Sequence, residues 1–190
     1  VHMADFENST ALDNIIQGKK FDDVVAAGVF PHSNDESHFL ESARQALKPN
    51  GVLFLEFRNK LFSLFTMNRL TRDFFLNDLL FDLDADIKSR VTTELNSRLA
   101  VEQPPLRLTG ANELAPGYDA ITAKFHNPFE LTSQLKNIGF DPQGIHWYHF
   151  HPAPPWLEGT FPDLFRKAAV ELENPGDWRG HFLCSAGVIE

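Results

Sequence analysis

The feature that most constrains the fold is an apolar segment, a helical segment and a second apolar segment that follow each other closely. Residues 24–30 are apolar on both faces and end in a Pro-His turn, which is typical of a strand buried inside a parallel sheet. Asn34 is a predicted cap for a helix whose apolar residues recur at spacings of three and four up to Leu47. Residues 48–51 are breakers that end this helix, and residues 52–57 form a second strand. The sequence therefore predicts a βαβ unit, and ligands of such units gather at the carboxyl ends of the strands.

Two stretches of this unit carry a resemblance to a known family. Residues 21–32 read Phe-Asp-Asp-Val, then apolar residues and a His, and residues 47–51 read Leu-Lys-Pro-Asn-Gly. They resemble the fourth strand, and the approach to the fifth strand, of class I S-adenosylmethionine-dependent methyltransferases. The resemblance extends more loosely to residues 1–6, 129–140 and 180–190. These correspond, in that order, to the family's third strand, last helix and seventh strand. The resemblance implies an α/β fold with an incomplete Rossmann-like methyltransferase sheet, holding the third to seventh strands of the family order 3-2-1-4-5-7-6.

The resemblance also implies a cofactor, S-adenosylmethionine, and residues that contact it. In the family an acidic residue after the third strand binds the adenine amino group, and a neighbouring apolar residue covers the ring. Asp5 and Phe6 match these two positions. Phe30 and Pro31 follow the fourth strand and are expected to form a wall beside the cofactor. The alternative for Asp5 is a solvated acid at a frayed terminus.

The family's glycine-rich loop is where this chain departs from the pattern. No GxGxG or related run occurs in the 190 residues, and the acidic residue that follows the family's second strand is missing too. We therefore expect a C-terminal fragment of a methyltransferase that is inactive alone. The expected partner at the uncovered sheet edge is the missing N-terminal half or a second copy of the chain, because exposed apolar edges pair readily.

Residues at the predicted strand ends are candidates for chemistry. His32 follows the fourth strand, where the methyl group should approach, and its imidazole can take a proton from an acceptor. Its alternative role is to hold the loop by hydrogen bonding. Arg58 and Asn59 end the fifth strand, where an arginine can clamp a carboxylate or phosphate of the substrate. The alternative for Arg58 is a surface ion pair with Glu56.

A long helical insertion is predicted after the fifth strand. Residues 59–123 carry apolar side chains at helical spacings, among them Phe62, and Pro and Gly breakers follow. Family insertions at this point usually cover the active site, so the resemblance implies a substrate lid. A helical subdomain without substrate contact is the alternative. The predicted division is core residues 1–58, insertion 59–123 and core residues 124–190.

The stretch His-Trp-Tyr-His-Phe-His combines imidazoles with aromatic rings. Strand alternation puts His149 and His151 on one face and His146 on the other. A catalytic zinc site needs three facing ligands, and this spacing supplies two, so no metal site is predicted. An aromatic lining for the substrate, shared with Trp156, and ordinary packing are the two interpretations left open.

Composition limits the classes of function. The formal net charge of -9 argues against general nucleic-acid binding. No apolar run reaches the roughly 20 residues that cross a bilayer. The single cysteine excludes an internal disulfide, which fits a cytoplasmic location. The expected function is methyl transfer to a small molecule, and the alternative is a non-catalytic binding or interaction module on the same fold.

Overall fold

The computed structural model of the chain describes residues 14–102, 124–171 and 178–190. The strands in these residues are β1 (Phe21–Ala26), β2 (Leu47–Arg58), β3 (Ile145–Phe150) and β4 (Cys184–Ile189). They form one open sheet in the order β1-β2-β4-β3. β1 and β2 are parallel, whereas β4 is antiparallel to β2. The described part of the chain is therefore a mixed α/β fold.

Helices of different lengths connect these strands. The α-helices are α1 (Glu36–Ala46), α2 (Arg69–Phe74), α3 (Ala85–Arg98), α4 (Pro128–Ile138), α5 (Pro162–Glu171) and α6 (Gly180–Leu183). The 3-10 turns are Phe30–His32, Lys60–Leu64 and Pro155–Thr160, and a π-helix, Phe75–Leu79, continues α2. Among the described helices, none is both long and apolar enough to pass through a bilayer. β1, α1 and β2 form the βαβ unit that the sequence predicts.

The described residues divide into two compact units. Unit 1 contains residues 14–58, 124–147 and 186–190, and unit 2 contains residues 59–102, 148–171 and 178–185. Unit 2 begins at Asn59, as does the predicted insertion. It also includes residues that the sequence analysis assigned to the C-terminal part of the core.

The core of unit 1 is built from one face of the sheet and the apolar stripes of two helices. Its fully buried members include Phe30, Leu40, Leu55, Phe57 and Leu135. Alternate residues of β2 point to one side of the sheet, and residues three or four apart share a face on α1 and α4. The apolar spacing that predicts these elements is therefore the same spacing that fills the core.

The first apolar segment forms a shorter and more exposed strand than predicted. β1 ends at Ala26, and Gly28 in the following loop has a φ of 69°. Val25 is 69% exposed, and β1 lies at one edge of the described sheet. The expectation of a strand buried on both faces is therefore wrong for the described residues. An apolar run by itself does not distinguish a central strand from an edge strand.

Side-chain caps fix where two of the predicted helices begin. Asp35, rather than the predicted Asn34, caps α1 by accepting a hydrogen bond from the backbone N–H of His38 at 2.9 Å. Asn127 caps α4 by accepting a hydrogen bond from the backbone N–H of Phe129 at 3.1 Å, and Pro128 occupies the first turn. Both caps satisfy backbone donors that have no partner inside the helix.

The Leu-Lys-Pro-Asn-Gly stretch forms an irregular start of β2 rather than a turn before it. Phe21 pairs with Leu47 and Asp23 pairs with Val52, so residues 48–51 lie opposite a single residue, Asp22. A Cβ atom on Gly51 would lie 2.8 Å from the carbonyl oxygen of Asp22, closer than side chains approach backbone. The glycine of this stretch is therefore required because the β1 backbone passes directly over it.

Replacing Gly51 with alanine should destabilise the fold by about 1–3 kcal/mol, because the added methyl group must push two hydrogen-bonded strands apart. The measurement is urea unfolding followed by tryptophan fluorescence. Gly144→Ala is the matched control in the same unit, because a Cβ atom on Gly144 would meet no atom of the described chain within 4 Å. That control should change the free energy of unfolding by less than about 0.5 kcal/mol. Equal effects of the two substitutions would contradict the argument.

Candidate functional site

The carboxyl ends of β1 and β2 meet one short segment of unit 1. The chain leaves β1 and forms the 3-10 turn Phe30–His32, and β2 ends at Arg58. The backbone N–H of Lys124 donates to the carbonyl oxygen of Pro31 at 2.8 Å, and that of His126 donates to the carbonyl oxygen of Arg58 at 2.7 Å. The segment before α4 therefore ties the two ends together, where ligands of α/β sheets gather.

An edge cluster, formed by Glu36, Lys124 and His126, lies at these strand ends. Glu36 Oε1 is 3.0 Å from Lys124 Nζ and 3.3 Å from His126 Nε2. His126 is 7% exposed, and its ring stacks on Phe30 with 4.6 Å between the ring centroids. The carboxylate orients an imidazole that packing already holds, an arrangement that can accept or deliver a proton.

The edge cluster is the part of the site that sequence reasoning missed. Glu36 and His126 are 90 positions apart, and neither belongs to a recognised motif. The local signal was the position of His126 directly before the helix cap Asn127, which starts α4 beside the sheet. No sequence spacing indicates that this histidine reaches the first turn of α1.

The predicted cofactor wall is part of the core of unit 1. Phe30 is 0% exposed, and its ring centroid lies 5.5 Å from that of Phe39 and 4.6 Å from that of His126. Pro31 is buried as well. The surface that a cofactor would contact is therefore already covered by the protein's own side chains, and the cofactor role of these residues stays a prediction. Asp5 and Phe6 lie outside the described residues.

His32 and Arg58 lie at the two strand ends of unit 1. His32 is half-buried, and its backbone N–H donates to the carbonyl oxygen of Val29 at 3.0 Å. Arg58 is half-buried at the end of β2. The neighbouring carboxylate of Glu56 accepts a hydrogen bond from the backbone N–H of Gly28 at 2.8 Å and so holds the loop after β1. The roles of His32 and Arg58 as base and clamp stay predictions.

Asn59, the first residue of unit 2, is 0% exposed. Its Nδ2 donates to the carbonyl oxygens of His181 at 2.7 Å and Cys184 at 2.8 Å, and its Oδ1 accepts from the backbone N–H of Leu61 at 3.1 Å. Both amide hydrogens and the amide oxygen are thus engaged inside the protein. The side chain that the sequence offered to a substrate is an internal anchor of unit 2.

An aromatic cluster in unit 2 consists of Phe62, His151, Phe161 and Phe165. The ring of His151 lies 4.7 Å from Phe62 and 6.0 Å from Phe165, and Phe161 lies 6.0 Å from Phe165 between centroids. Elsewhere in the unit, Trp156 donates from Nε1 to the carbonyl oxygen of Thr66 at 3.0 Å and keeps 46% of its surface exposed. Unit 2 therefore combines a packed aromatic interior with an exposed indole.

His151 is the titratable group of the aromatic cluster. Burial lowers the pKa of its imidazole below the usual value, and nearby His149 lowers the pKa further, while Glu158 acts in the opposite direction. Its Nδ1 is buried and has no hydrogen-bond partner within the described part of the chain. The imidazole is therefore neutral at pH 7, and one ring nitrogen keeps its hydrogen-bonding capacity unused.

The three histidines of the predicted stretch do not share one strand face. His149 has a φ of 53°, which interrupts the strand alternation before His151. His146 Nε2 lies 3.1 Å from Glu190 Oε2 in unit 1. Across residues 14–102, 124–171 and 178–190, three or more His, Cys, Asp or Glu side chains do not converge on a possible metal position.

Comparisons with known proteins do not identify the chain. A scan against models of protein families gives no match, and a search of curated proteins gives no significant match. The function must therefore be inferred from the residues and topology described above.

Replacing Asn59 with alanine should destabilise the chain by about 1–3 kcal/mol, because two buried carbonyl groups and one buried N–H lose their partners. Chemical unfolding of the variant and of the wild-type chain measures this difference. Asn77→Ala is the control, since Asn77 is exposed in the same unit. A variant as stable as the control would show that the buried amide is not an anchor.

His151 should make the stability of the chain depend on pH. The unfolded chain has the ordinary pKa of 6.5 and the folded chain a lower one, so the unfolded state binds more protons between the two values. The stabilising contribution of the neutral imidazole is present above pH 6.5 and is lost as the pH falls from there through the folded-state pKa. His151→Phe should therefore lose less stability than the wild type between pH 7.5 and pH 5.

The matched variant is His149→Gln. It removes the neighbouring charge that lowers the pKa of His151, so the acid-dependent loss should become smaller but not disappear. Thermal unfolding at half-unit pH intervals measures both effects. Identical pH profiles for wild type and His151→Phe would contradict the assignment.

Proposed function

We propose that this chain is the C-terminal part of a class I S-adenosylmethionine-dependent methyltransferase that acts on a small molecule. The observation that carries the proposal is the strand order β1-β2-β4-β3, with β1 parallel and β4 antiparallel to β2. If β1 to β4 correspond to the family's fourth to seventh strands, this order reads 4-5-7-6. That is the second half of the family order given above.

The antiparallel direction of β4, the last strand in the chain, is what makes this strand order informative about the family. Gln143 N–H donates to the carbonyl oxygen of Glu190 at 2.7 Å before β3, and His151 N–H donates to that of Leu183 at 2.8 Å after it, so β3 and β4 run antiparallel. β4 therefore enters between β2 and β3 in the opposite direction. Simple repetition of βαβ units produces only parallel neighbours, so the insertion of a reversed strand supports the proposal more strongly than an open sheet does.

The described residues do not fit a complete S-adenosylmethionine site. Phe30 is fully buried and contacts the rings of Phe39 and His126, and the chain contains no GxGxG run. The proposal therefore assigns the main part of cofactor binding to another polypeptide segment. The family's N-terminal half, or a second copy of this chain, would pair with the exposed edge of β1 at Val25.

The residues at the carboxyl ends of β1 and β2 would act on the methyl acceptor. Methyl transfer is an in-line displacement, in which positioning of the nucleophile is the principal contribution of the protein. In the proposal His32 accepts a proton from the acceptor and Arg58 binds an anionic group on it. The Glu36–His126 pair would hold the neighbouring backbone in place through its bond to the Arg58 carbonyl.

The composition of unit 2 supports a role for this unit in selecting the methyl acceptor. The indole of Trp156, which is 46% exposed, suits a molecule with a planar apolar body. The net charge of -9 favours such a metabolite over nucleic acid. The insertion that begins at Asn59 would then act as the substrate lid that the resemblance implies.

Calorimetry with S-adenosylmethionine tests the proposal at two lengths of chain. The 190 residues alone should give no saturable heat at ligand concentrations up to about 1 mM, the limit of weak binding. The longest reading frame that contains these residues should bind in the micromolar range, because it would add the glycine-rich loop. S-adenosylhomocysteine serves as a second ligand and ATP as the adenosine-bearing control.

Two results would count against the proposal. Tight binding by the 190 residues alone would show that the glycine-rich loop is not needed. A longest reading frame that lacks a glycine-rich loop and does not bind the cofactor would leave the non-catalytic binding module as the function.

A further inference from the structure

A cavity of about 760 Å³ opens in unit 1. It is lined by Leu47 and Gly51 at the start of β2, by Gly139 after α4, and by Ile189 at the end of β4. Because β1 and β2 are parallel, this is the amino end of both strands, opposite to the edge cluster. Its volume lies within the range of about 300–1,000 Å³ that is typical of small-molecule sites.

Part of the lining of this cavity is apolar. Leu53, Leu55, Leu135 and Ile189 belong to the unit 1 core and are nearly fully buried behind it. The wide irregularity of β2 at residues 48–51 forms part of the wall, since these residues are not matched one-to-one by β1. The apolar surface open to a ligand comes from the half-buried side chains of Val52, Phe140 and Pro142, which also line the cavity.

Three cationic side chains line the same cavity, and one of them has no partner among the described residues. Lys48 Nζ lies 2.9 Å from the carboxylate of Asp22, and Lys20 Nζ bonds to the carbonyl oxygen of Gln45. The Arg44 guanidinium makes no hydrogen bond or ion pair with any residue that the structure describes. A positive group thus remains available at the mouth of an apolar cavity, in a chain whose net charge is -9.

Arg44 is exposed and lies beside the end of α4. A Cβ atom on Gly139 would lie 3.1 Å from Arg44 Nε and 3.2 Å from Nη2, so the guanidinium lies against the glycine that ends α4. Gly139 has a φ of 97°, which helix ends commonly adopt at glycine. Two acidic side chains line the cavity as well: Asp141 accepts from Gln143 Nε2 at 3.0 Å, and Glu190 Oε2 lies 3.1 Å from His146 Nε2.

We propose that this cavity binds a small amphipathic anion. The apolar body of the ligand would lie against Val52, Phe140 and Pro142, and its carboxylate, sulfonate or phosphate would bind the Arg44 guanidinium through two parallel N–H bonds. Lys48 would contribute positive charge at longer range. The site is separate from the carboxyl ends of the strands and does not depend on the proposed methyl transfer.

Two fluorescent probes with the same apolar body test the proposal. 8-Anilinonaphthalene-1-sulfonate carries the anionic group, and N-phenyl-1-naphthylamine is the same molecule without it. The sulfonate should bind the full chain about tenfold more tightly, the factor that one charge-assisted hydrogen-bonded contact supplies. Amide shifts in a nitrogen-15 spectrum should change at Val52, Gly139 and Gln143, which line the cavity.

Substitutions of Arg44 distinguish a specific effect of its charge from nonspecific hydrophobic binding of the probes. Arg44→Gln should abolish the preference for the sulfonate and leave the affinity for the neutral probe unchanged, whereas Arg44→Lys should retain part of the preference. Arg90→Gln, at an exposed position of α3 in unit 2, is the control and should have no effect. Circular dichroism of each variant verifies that it is folded.

Three outcomes would overturn the proposal. The first is equal affinity of the wild type for the two probes. The second is an equal loss of sulfonate affinity in Arg44→Gln and Arg90→Gln, which would indicate a nonspecific charge effect. The third is a shift pattern centred on the exposed rings of Trp178 and Phe182 rather than on the cavity.

Discussion

The pairing of β2 with a strand on each side is the interaction on which the rest of the structure depends. β2 pairs in parallel with β1 at Leu47 and residues 52–55, and antiparallel with β4 at residues 55–58, so both of its edges find partners over part of its length. Its alternate residues Leu53, Leu55 and Phe57 supply the buried face of the sheet in unit 1. One strand thus satisfies the backbone and fills the core, and its two ends become chemically different edges of unit 1.

The two ends of β2 differ because different physical requirements act on them. At the amino end the backbone of β1 passes so close to Gly51 that no side chain fits, and the irregular pairing beside it opens an apolar cavity. At the carboxyl end, the segment before α4 bonds to Pro31 and Arg58 and brings in His126. The amino end has apolar surface and an arginine, Arg44, that is not paired with any residue the structure describes. The carboxyl end has the carboxylate of Glu36 beside two basic groups.

Buried polar side chains determine the local geometry as much as the apolar core does. Asn59 bonds to carbonyl groups more than 120 positions away in the sequence, and Glu36 bonds to His126 over 90 positions. Burial of such groups is costly unless they are hydrogen-bonded, so each of them admits few arrangements of its neighbours. They also explain why residues chosen for their chemistry turn out to be anchors. The sequence shows that a polar residue follows a strand, but not that its partners are already supplied.

Several elements were determined by the sequence itself. The βαβ unit and α4 follow from local properties of residues that are close in the chain, namely apolar periodicity, the Asn127 cap with Pro128, and Gly139 at the helix end. A period of two or 3.6 residues and a cap both act within a few positions, so they can be read before any fold is known. The Leu-Lys-Pro-Asn-Gly stretch was recognised in the same way, although its form as an irregular part of β2 was not.

Only the tertiary structure decided which chemical groups meet. It determined that Phe30 packs against Phe39 and His126, and that Arg44 lies against Gly139 beside the cavity. It also gave His149 a left-handed backbone, which ends the strand alternation on which the arrangement of the histidines was predicted. These features depend on contacts between distant parts of the chain, and no local spacing encodes them. The sequence by itself therefore determined the type of the elements, while long-range packing and hydrogen bonding decided their exposure and the residues of the site.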